Sequence, residues 1–122
     1  MSEVLERPRR AVVVDDDPVN LYYAGKVLRG GGWEVASAKS YLSALQAVTD
    51  TDCNLLLADI RLGEGSGFEL VRIVREWRPA VRVLLMTAYR DEELRAVDAG
   101  LPVIRVPFSS RDLVTNVRHV LI

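Results

Sequence analysis

Short apolar runs alternate with stretches of helical periodicity five times along this chain of 122 residues. The runs are bounded by glycine, proline or charged residues, as strands commonly are. They are apolar at successive positions, which is typical of strands buried on both faces in a parallel sheet covered by helices. The predicted strands are Arg10–Val14, Trp33–Ser37, Asn54–Ala58, Val81–Met86 and Pro102–Val106. We therefore predict an α/β fold with a doubly wound, five-stranded parallel sheet.

The helical segments between these strands have recognisable starts and faces. Pro18 stands in the first turn of the first helix, where a missing N–H does no harm, and Asp17 precedes it as the predicted N-cap. The second helix is expected to place four apolar residues on one face: Leu42, Ala44, Leu45 and Val48. The predicted helices are Val19–Arg29, Ser40–Val48, Gly67–Trp77, Asp91–Ala99 and Ser110–Leu121. Right-handed crossovers through these helices leave few topologies.

Composition is that of an ordinary globular chain of one domain, expected over residues 1–122 with an N-terminal extension at 1–9. The net charge is −1 and no basic stripe stands out, so a nucleic-acid partner is not expected. No apolar stretch approaches the roughly 20 residues of a membrane span, and the polar start lacks a signal-peptide core. The single cysteine, Cys53, excludes an internal disulfide. We expect a cytoplasmic protein without a membrane segment.

Carboxylates follow two of the predicted strands directly. Asp15, Asp16 and Asp17 end the first apolar run, and Asp59 ends the third. Ligands of open parallel sheets bind at the carboxyl ends of strands, so these acids are expected to share one pocket. Crowded carboxylates repel one another, and Mg²⁺, which prefers oxygen ligands, relieves that repulsion. Because Mg²⁺ held by one or two carboxylates also binds phosphate oxygens, the pattern predicts a phosphoryl site.

Four short motifs, each at the end of a predicted strand, resemble those of a response-regulator receiver domain of two-component systems. The motifs are Asp15-Asp16, Asp59, Thr87-Ala88 and Pro107-Phe108. The stretch from Asp59 to Gly67 is similar to the phosphoacceptor loop of that family, and the match runs from about Arg10 to Ile122. The resemblance implies a flavodoxin-like fold with five helices and strand order 2-1-3-4-5, which places strands one and three side by side.

The resemblance also implies how a phosphoryl group would be held. Asp59 would accept it from a histidine kinase or a phosphotransfer protein. Thr87 would hydrogen-bond a phosphoryl oxygen through its hydroxyl, and Ala88 would be small enough to let the group enter. Tyr89 stands at the pocket rim, where it either shields the phosphoryl group from water or merely covers the loop.

A Mg²⁺ cofactor is implied at the same place. Asp16 would bind the ion directly, Asp15 would act through a metal-bound water, and Asp59 would contribute its carboxylate. The backbone carbonyl of Arg61 would complete the protein's share of the ligands. The chemistry expected of the ion is to neutralise negative charge on the equatorial phosphoryl oxygens.

Two positions of the fifth strand depart from the family pattern. Val106 stands just before Pro-Phe, where receivers usually carry a lysine, and no lysine follows Lys39. Val103 stands where the family often has a Tyr or Phe that rotates inward as the threonine moves. We expect Arg61 or Arg90, on the loops beside the acceptor and the threonine, to be better placed than other cations to replace the lysine.

The leading interpretation is a stand-alone receiver, a phosphoacceptor signalling domain rather than an enzyme, because the chain ends directly after the last helix. Its output is then expected through contact with a partner protein. The first helix is expected to expose an apolar side, made of Pro18, Leu21 and Tyr22, that suits a kinase or a homodimer.

The alternative comes from a different class of function. It is a pseudo-receiver, a protein-interaction module that keeps the fold and never uses Asp59 as a switch. The intact acids and Thr87 favour the phosphoacceptor, whereas Val106 and Val103 favour the pseudo-receiver. A small hydrolase of the same layout ranks third, because Asp59 has no obvious base or leaving-group acid beside it.

Overall fold

A computed structural model describes residues 8–122; most of the predicted N-terminal extension over residues 1–9 lies outside that range. The strands are β1 (Arg10–Val14), β2 (Glu34–Ala38), β3 (Leu55–Asp59), β4 (Arg82–Thr87) and β5 (Val103–Arg105). They form one parallel sheet in the order β2-β1-β3-β4-β5. The predicted fold class and strand order are therefore confirmed. In the register of this sheet Val14 of β1 pairs with Ala58 of β3. Asp15, which follows β1, and Asp59, which ends β3, therefore lie at the same edge of the sheet.

Five helices connect and flank the strands: α1 (Pro18–Gly30), α2 (Tyr41–Asp50), α3 (Gly67–Trp77), α4 (Arg90–Asp98) and α5 (Ser110–Leu121). The predicted N-cap of α1 is confirmed, because the Asp17 side chain accepts a hydrogen bond from the Val19 backbone N–H at 3.0 Å. Serine side chains cap α2, α3 and α5 in the same way, whereas α4 begins without a side-chain cap. None of the helices within residues 8–122 is long and apolar enough to cross a membrane.

The three central strands of the sheet, β1, β3 and β4, are buried on both faces, as their continuous apolar runs predict. Val12, Val14 and Leu56 pack with the inner sides of α2 and α3. Val13 and Leu57, one residue out of phase, pack on the opposite face with α1 and α5. This alternation follows from the period-2 geometry of a strand. It leaves the carboxyl edge of the sheet as the place where polar side chains emerge.

Two predictions about helix faces are wrong. Leu21 is 7% exposed, because it lies on the inner side of α1 with Ala24 and Leu28, three and seven residues further. The exposed apolar side of α1 is instead made by Val19 and Tyr22, at 75% and 67%.

In α2 the buried positions are Ala44 and Val48, a pair four residues apart. Leu42 precedes Ala44 by two residues, which turns it to the far side of the helix, and it is 70% exposed. Leu42 is therefore not part of the core that the sequence predicted for this helix.

Candidate functional site

A cavity of about 720 Å³ opens at the carboxyl ends of β1 and β3, where the sequence predicted a shared acidic pocket. The start of α1 and the loops after β4 and β5 complete its wall. Its acidic lining residues are Asp15, Asp16, Asp17 and Asp59, and its apolar and aromatic ones are Val19, Tyr23, Ala88, Tyr89, Val106, Pro107 and Phe108. Arg61 also lines it. The cavity thus brings together every predicted site residue except Thr87.

Asp15 and Asp16, the first two of the three acids after β1, have different surroundings. Asp15 is 1% exposed, and its carboxylate accepts hydrogen bonds from the Asp17 backbone N–H at 3.0 Å and from the Asn20 side-chain amide. Asp16 is exposed at the cavity mouth. Both carboxylate oxygens of Asp15 therefore already have hydrogen-bond partners within the protein. The exposed carboxylate of Asp16 is open to a ligand that enters the cavity.

Asp59 carries the most perturbed carboxyl group of the cavity. Burial raises its pKa, the hydrogen bond from the Arg61 backbone N–H at 2.9 Å opposes the rise, and the nearby Asp15 and Asp16 add to it. The result is a pKa of about 7. Within residues 8–122 no ion pair links a cationic side chain to Asp59. Its negative charge is therefore poorly compensated by the protein itself.

This surplus of negative charge bears on the predicted Mg²⁺. Among the described residues no group of three or more Asp, Glu, His or Cys side chains is arranged to hold a metal ion. Mg²⁺ needs fewer protein ligands, because it commonly takes one or two carboxylates and keeps several waters. Asp16 and Asp59 line the same cavity. The pKa of Asp59 is raised because its ionised form is poorly stabilised, and a bound cation would stabilise that form. The residues therefore fit a hydrated Mg²⁺ bound through two carboxylates.

A glycine fixes the loop that follows Asp59. The Gly67 backbone N–H donates to the Ile60 carbonyl at 2.8 Å, which closes the loop against the start of α3. A Cβ at this position would lie 2.6 Å from the Asp59 carbonyl oxygen and 3.0 Å from the Ile60 Cα. Only glycine permits so close an approach. The backbone at Asp59 is thus held by direct packing of α3.

Thr87, the predicted phosphoryl ligand at the end of β4, lies behind the cavity. It is 1% exposed, and its hydroxyl donates to Glu92 Oε1 at 2.6 Å. The Thr87 hydroxyl oxygen, Oγ1, also accepts a hydrogen bond from the Tyr89 backbone N–H at 3.0 Å. The next two residues, Ala88 and Tyr89, line the cavity, but the Thr87 hydroxyl is directed to Glu92 of α4.

Arg61, one of the two arginines predicted to replace the lysine, lines the cavity, and its side chain has two partners there. Its Nε donates to Glu92 Oε2 at 2.7 Å, and its guanidinium carbon lies 3.6 Å from the centre of the Tyr89 ring. A guanidinium over an aromatic face is a favourable cation–π contact. The side chain is therefore engaged with Glu92 and Tyr89, and among the described residues it makes no ion pair with Asp59. Its role as a replacement for the lysine stays a prediction.

The chain matches the family model described as "Response regulator receiver domain" over residues 11–118. The chain belongs to the response regulator receiver domain family. The resemblance that its four strand-end motifs carry is confirmed, and with it a place among the proteins of two-component systems.

Individual relatives agree with this assignment. The receiver is 37% identical over 91 residues to the transcriptional regulatory protein ZraR of Klebsiella oxytoca. The aligned residues cover 73% of this chain and 20% of that protein. It is 30% identical over 118 residues to the probable transcriptional regulatory protein TcrX of Mycobacterium tuberculosis, covering 94% and 50%. A CheY-like receiver domain protein of Methanospirillum hungatei has a TM-score of 0.85 at 28% identity, covering 94% of both chains. The receiver spans about a fifth to a half of the curated relatives' length.

Val106, which the sequence analysis compared with the family's usual lysine, directly follows β5. Val106 lines the cavity, where its side chain brings no charge, and its backbone N–H donates to the Thr87 carbonyl at 2.9 Å. Arg105 does not line the cavity, as strand alternation predicts, and its guanidinium pairs with the Glu93 carboxylate at 3.3 Å. Arg90, the other expected replacement for the lysine, is exposed at the start of α4 and is not a cavity residue. The part of the receiver that the structure describes has Arg61 as its one cationic cavity residue.

Sequence reasoning did not single out Glu92, which contacts two of the predicted site residues, Thr87 and Arg61. It stands in the acidic first turn of α4, where negative side chains are favoured by the helix dipole and are usually exposed. Nothing in that pattern distinguishes it from Asp91 or Glu93. Glu92 is 8% exposed because its side chain lies between Arg61 and Thr87 and bonds to both. Only the tertiary structure brings these two residues to it.

Proposed function

We propose that this receiver accepts a phosphoryl group on Asp59 from the phosphohistidine of a histidine kinase or a phosphotransfer protein. The observation that carries the proposal is a half-buried carboxylate at the end of β3 that shares a cavity with Asp15 and Asp16. In the transfer, an Asp59 oxygen bonds to phosphorus while the bond from phosphorus to the histidine nitrogen breaks. The nitrogen leaves with that electron pair, and the product is an acyl phosphate.

Mg²⁺ is the proposed cofactor. Asp16 and Asp59 would bind it through their carboxylates, and the Arg61 backbone carbonyl would add a third oxygen. The proposal gives Asp15 an indirect contact through water, which agrees with its burial and with the two hydrogen bonds it already accepts. When bound, the ion would neutralise charge on the phosphoryl oxygens and between the carboxylates.

Three residues after β4 would serve the phosphoryl group. Ala88 lines the cavity with a methyl group only, which leaves room for the group to enter. Thr87 would donate its hydroxyl to a phosphoryl oxygen. Tyr89, held under the Arg61 guanidinium at the rim and 46% exposed, would limit the access of water to the acyl phosphate.

The proposed output is protein contact, which makes the receiver a signalling domain and not an enzyme. Val19 and Tyr22 on α1, beside the acidic cavity, are the exposed apolar residues best placed to meet a kinase or a second copy. Phosphohistidine is made with ATP, so the proposed location is the cytoplasm. The curated relatives named above, ZraR and TcrX, are longer than the receiver. Stand-alone action and homodimer formation both stay predictions.

A second candidate function has specific support. A pseudo-receiver, which binds partners without phosphorylation, is favoured by the uncharged Val106 in the cavity and by a Thr87 hydroxyl already bound to Glu92. It predicts that Asp59 is a structural acid and that neither Mg²⁺ nor a phosphoryl mimic binds with useful affinity. The two functions therefore differ in one measurable property.

Titration with Mg²⁺ and with beryllofluoride, a phosphoryl mimic, distinguishes them. We expect millimolar Mg²⁺ to shift amide resonances around Asp16 and Asp59, and beryllofluoride to shift them further only when Mg²⁺ is present. Asp59→Asn should weaken Mg²⁺ binding clearly and abolish the response to beryllofluoride. Asp17→Asn is the matched control: it changes an acid of the same cavity that caps α1, and it should retain both responses. Equal binding by wild type and Asp59→Asn would contradict the proposed function.

A further inference from the structure

The Thr87 hydroxyl has a partner before any phosphoryl group arrives. A hydroxyl carries one proton to donate. Two acceptors are in reach, the Glu92 carboxylate at 2.6 Å and the Tyr89 carbonyl at 3.5 Å, and the short contact to a charged oxygen is the stronger. The Thr87 hydroxyl therefore donates its hydrogen bond to Glu92, which does not line the cavity.

Glu92 is in turn fixed from two directions. It is 8% exposed, and a carboxylate so deeply buried is costly unless both of its oxygens are paired. Oε1 accepts from Thr87 at the end of β4, and Oε2 accepts from Arg61 in the loop after β3. One side chain of α4 thus joins the two segments between which a phosphoryl group on Asp59 would lie.

We propose that Glu92 and a phosphoryl group on Asp59 compete for the Thr87 hydroxyl, so that Glu92 is a positioning residue that opposes the phosphorylated state. The inference rests on the proposed phosphoacceptor function. The exchange replaces one hydrogen bond with another and changes no covalent bond. Glu92 keeps its ion pair with Arg61 throughout, so its charge stays compensated when the hydroxyl leaves.

When the Thr87 hydroxyl moves from Glu92 to the phosphoryl group, phosphorylation of Asp59 affects α4. Glu92 belongs to the first turn of that helix, and the next residue, Glu93, pairs with Arg105 of β5. Loss of the bond from Thr87 therefore weakens the attachment of this turn to β4 while its attachment to β5 remains. This route needs no aromatic side chain on β5, where the receiver has Val103.

A double-mutant cycle on beryllofluoride affinity in the presence of Mg²⁺ tests the competition. Glu92→Ala should bind beryllofluoride about tenfold more tightly than wild type, because one charge-assisted hydrogen bond no longer has to be broken. On a Thr87→Val background the hydroxyl is absent, and Glu92→Ala should then leave the affinity unchanged. A gain that persists on the Thr87→Val background would come from the freed Arg61 and would overturn the proposal.

Glu93→Ala is the matched control, because it removes the same charge from the same turn without touching Thr87. It should leave beryllofluoride affinity at the wild-type value. In the absence of Mg²⁺ and beryllofluoride, the Tyr89 amide resonance should shift in Glu92→Ala and not in Glu93→Ala, since that N–H donates to the Thr87 oxygen. Should Glu92→Ala fold poorly by circular dichroism, Glu92→Gln, which keeps the volume, should give a smaller gain in the same direction.

The outcomes distinguish failure of the competition for Thr87 from failure of the phosphoacceptor function. If wild type and Glu92→Ala bind beryllofluoride equally, the competition is wrong and the phosphoacceptor function stands. If no variant binds beryllofluoride and acetyl phosphate leaves Asp59 unmodified, the phosphoacceptor function is wrong and the competition fails with it.

Discussion

At Asp59, burial and two neighbouring carboxylates favour the same protonation state. Loss of water raises its pKa most, the Arg61 backbone hydrogen bond opposes this, and Asp15 and Asp16 reinforce it, to give a pKa of about 7. In an unfolded chain an aspartate has a pKa of about 3.9. The folded protein therefore holds this proton more tightly than the unfolded chain. The resulting stabilisation is complete below about pH 4 and is lost as pH rises through about 7.

Stability should consequently depend on pH through this one residue. In metal-free buffer, we expect the free energy of unfolding of the wild type to fall by about 1–2 kcal/mol between about pH 5 and about pH 8, relative to Asp59→Asn. The asparagine cannot ionise, so it removes the dependence that Asp59 contributes. Urea denaturation of both proteins with EDTA measures the difference. Parallel pH dependence of the two proteins would contradict the raised pKa.

Val106 offers the complementary change, because it lines the same cavity without a charge. Val106→Lys should bring an ammonium group near Asp59, lower the pKa of that carboxyl below about 7 and compete with Mg²⁺ for the same negative charge. We expect Mg²⁺ affinity to fall and the shift of the loops after β4 and β5 on adding beryllofluoride to grow. Calorimetry and amide chemical shifts measure the two effects.

The control for that substitution is Val106→Met, which lengthens the side chain without adding charge. It should leave both the pKa of Asp59 and the Mg²⁺ affinity close to the wild-type values. If methionine and lysine weaken Mg²⁺ equally, the effect is steric. If the wild type already shows a full shift across Thr87–Phe108 with beryllofluoride, another group performs the lysine's function and the pseudo-receiver interpretation fails.

Among the elements, the loop from β3 to α3 depends most on a single small residue. Gly67 begins α3 directly against the Asp59 carbonyl. The closest clash that a Cβ would make is with that backbone oxygen, which cannot move without shifting the site. Gly67→Ala should therefore reduce the free energy of unfolding by about 2 kcal/mol. It should also weaken Mg²⁺ binding, because Arg61 and its carbonyl belong to the displaced loop.

Gly30→Ala is the appropriate comparison for this element. Gly30 ends α1, and a Cβ there would meet no atom within 4 Å. Alanine should be neutral or stabilising by a few tenths of a kcal/mol, since it is the better helix former. Thermal or urea unfolding of both variants checks the pair, and an equal loss in both would show that the effect is not one of close packing at Asp59.

The sequence predicted the elements more accurately than their faces. The start of α1 was predictable because Asp17 and Pro18 act locally, through one hydrogen bond and one fixed dihedral angle. The exposure of Leu42 was not, because α2 is a short helix whose inward side is decided by how it meets β2 and α3. The same reason hides Glu92, whose burial depends on a loop thirty-one positions earlier.

Over the whole molecule, the sheet explains why the acidic pocket could be predicted and the contacts of Thr87 could not. Parallel strands with continuous apolar runs must end at one edge, so Asp15, Asp16 and Asp59 had to converge. Which partner the Thr87 hydroxyl selects is decided by side chains from three separate segments. A local pattern carries no information about such a choice.

The central claim is that Asp59 is a Mg²⁺-dependent phosphoacceptor, and intact-protein mass spectrometry after incubation with acetyl phosphate tests it most directly. With Mg²⁺, the wild type should gain the mass of one phosphoryl group, lost again when the acyl phosphate is cleaved by hydroxylamine. Without Mg²⁺, or in Asp59→Asn, the mass should stay unchanged. An unmodified wild type in Mg²⁺, or an Asp59→Asn variant that gains the same mass, would contradict the account.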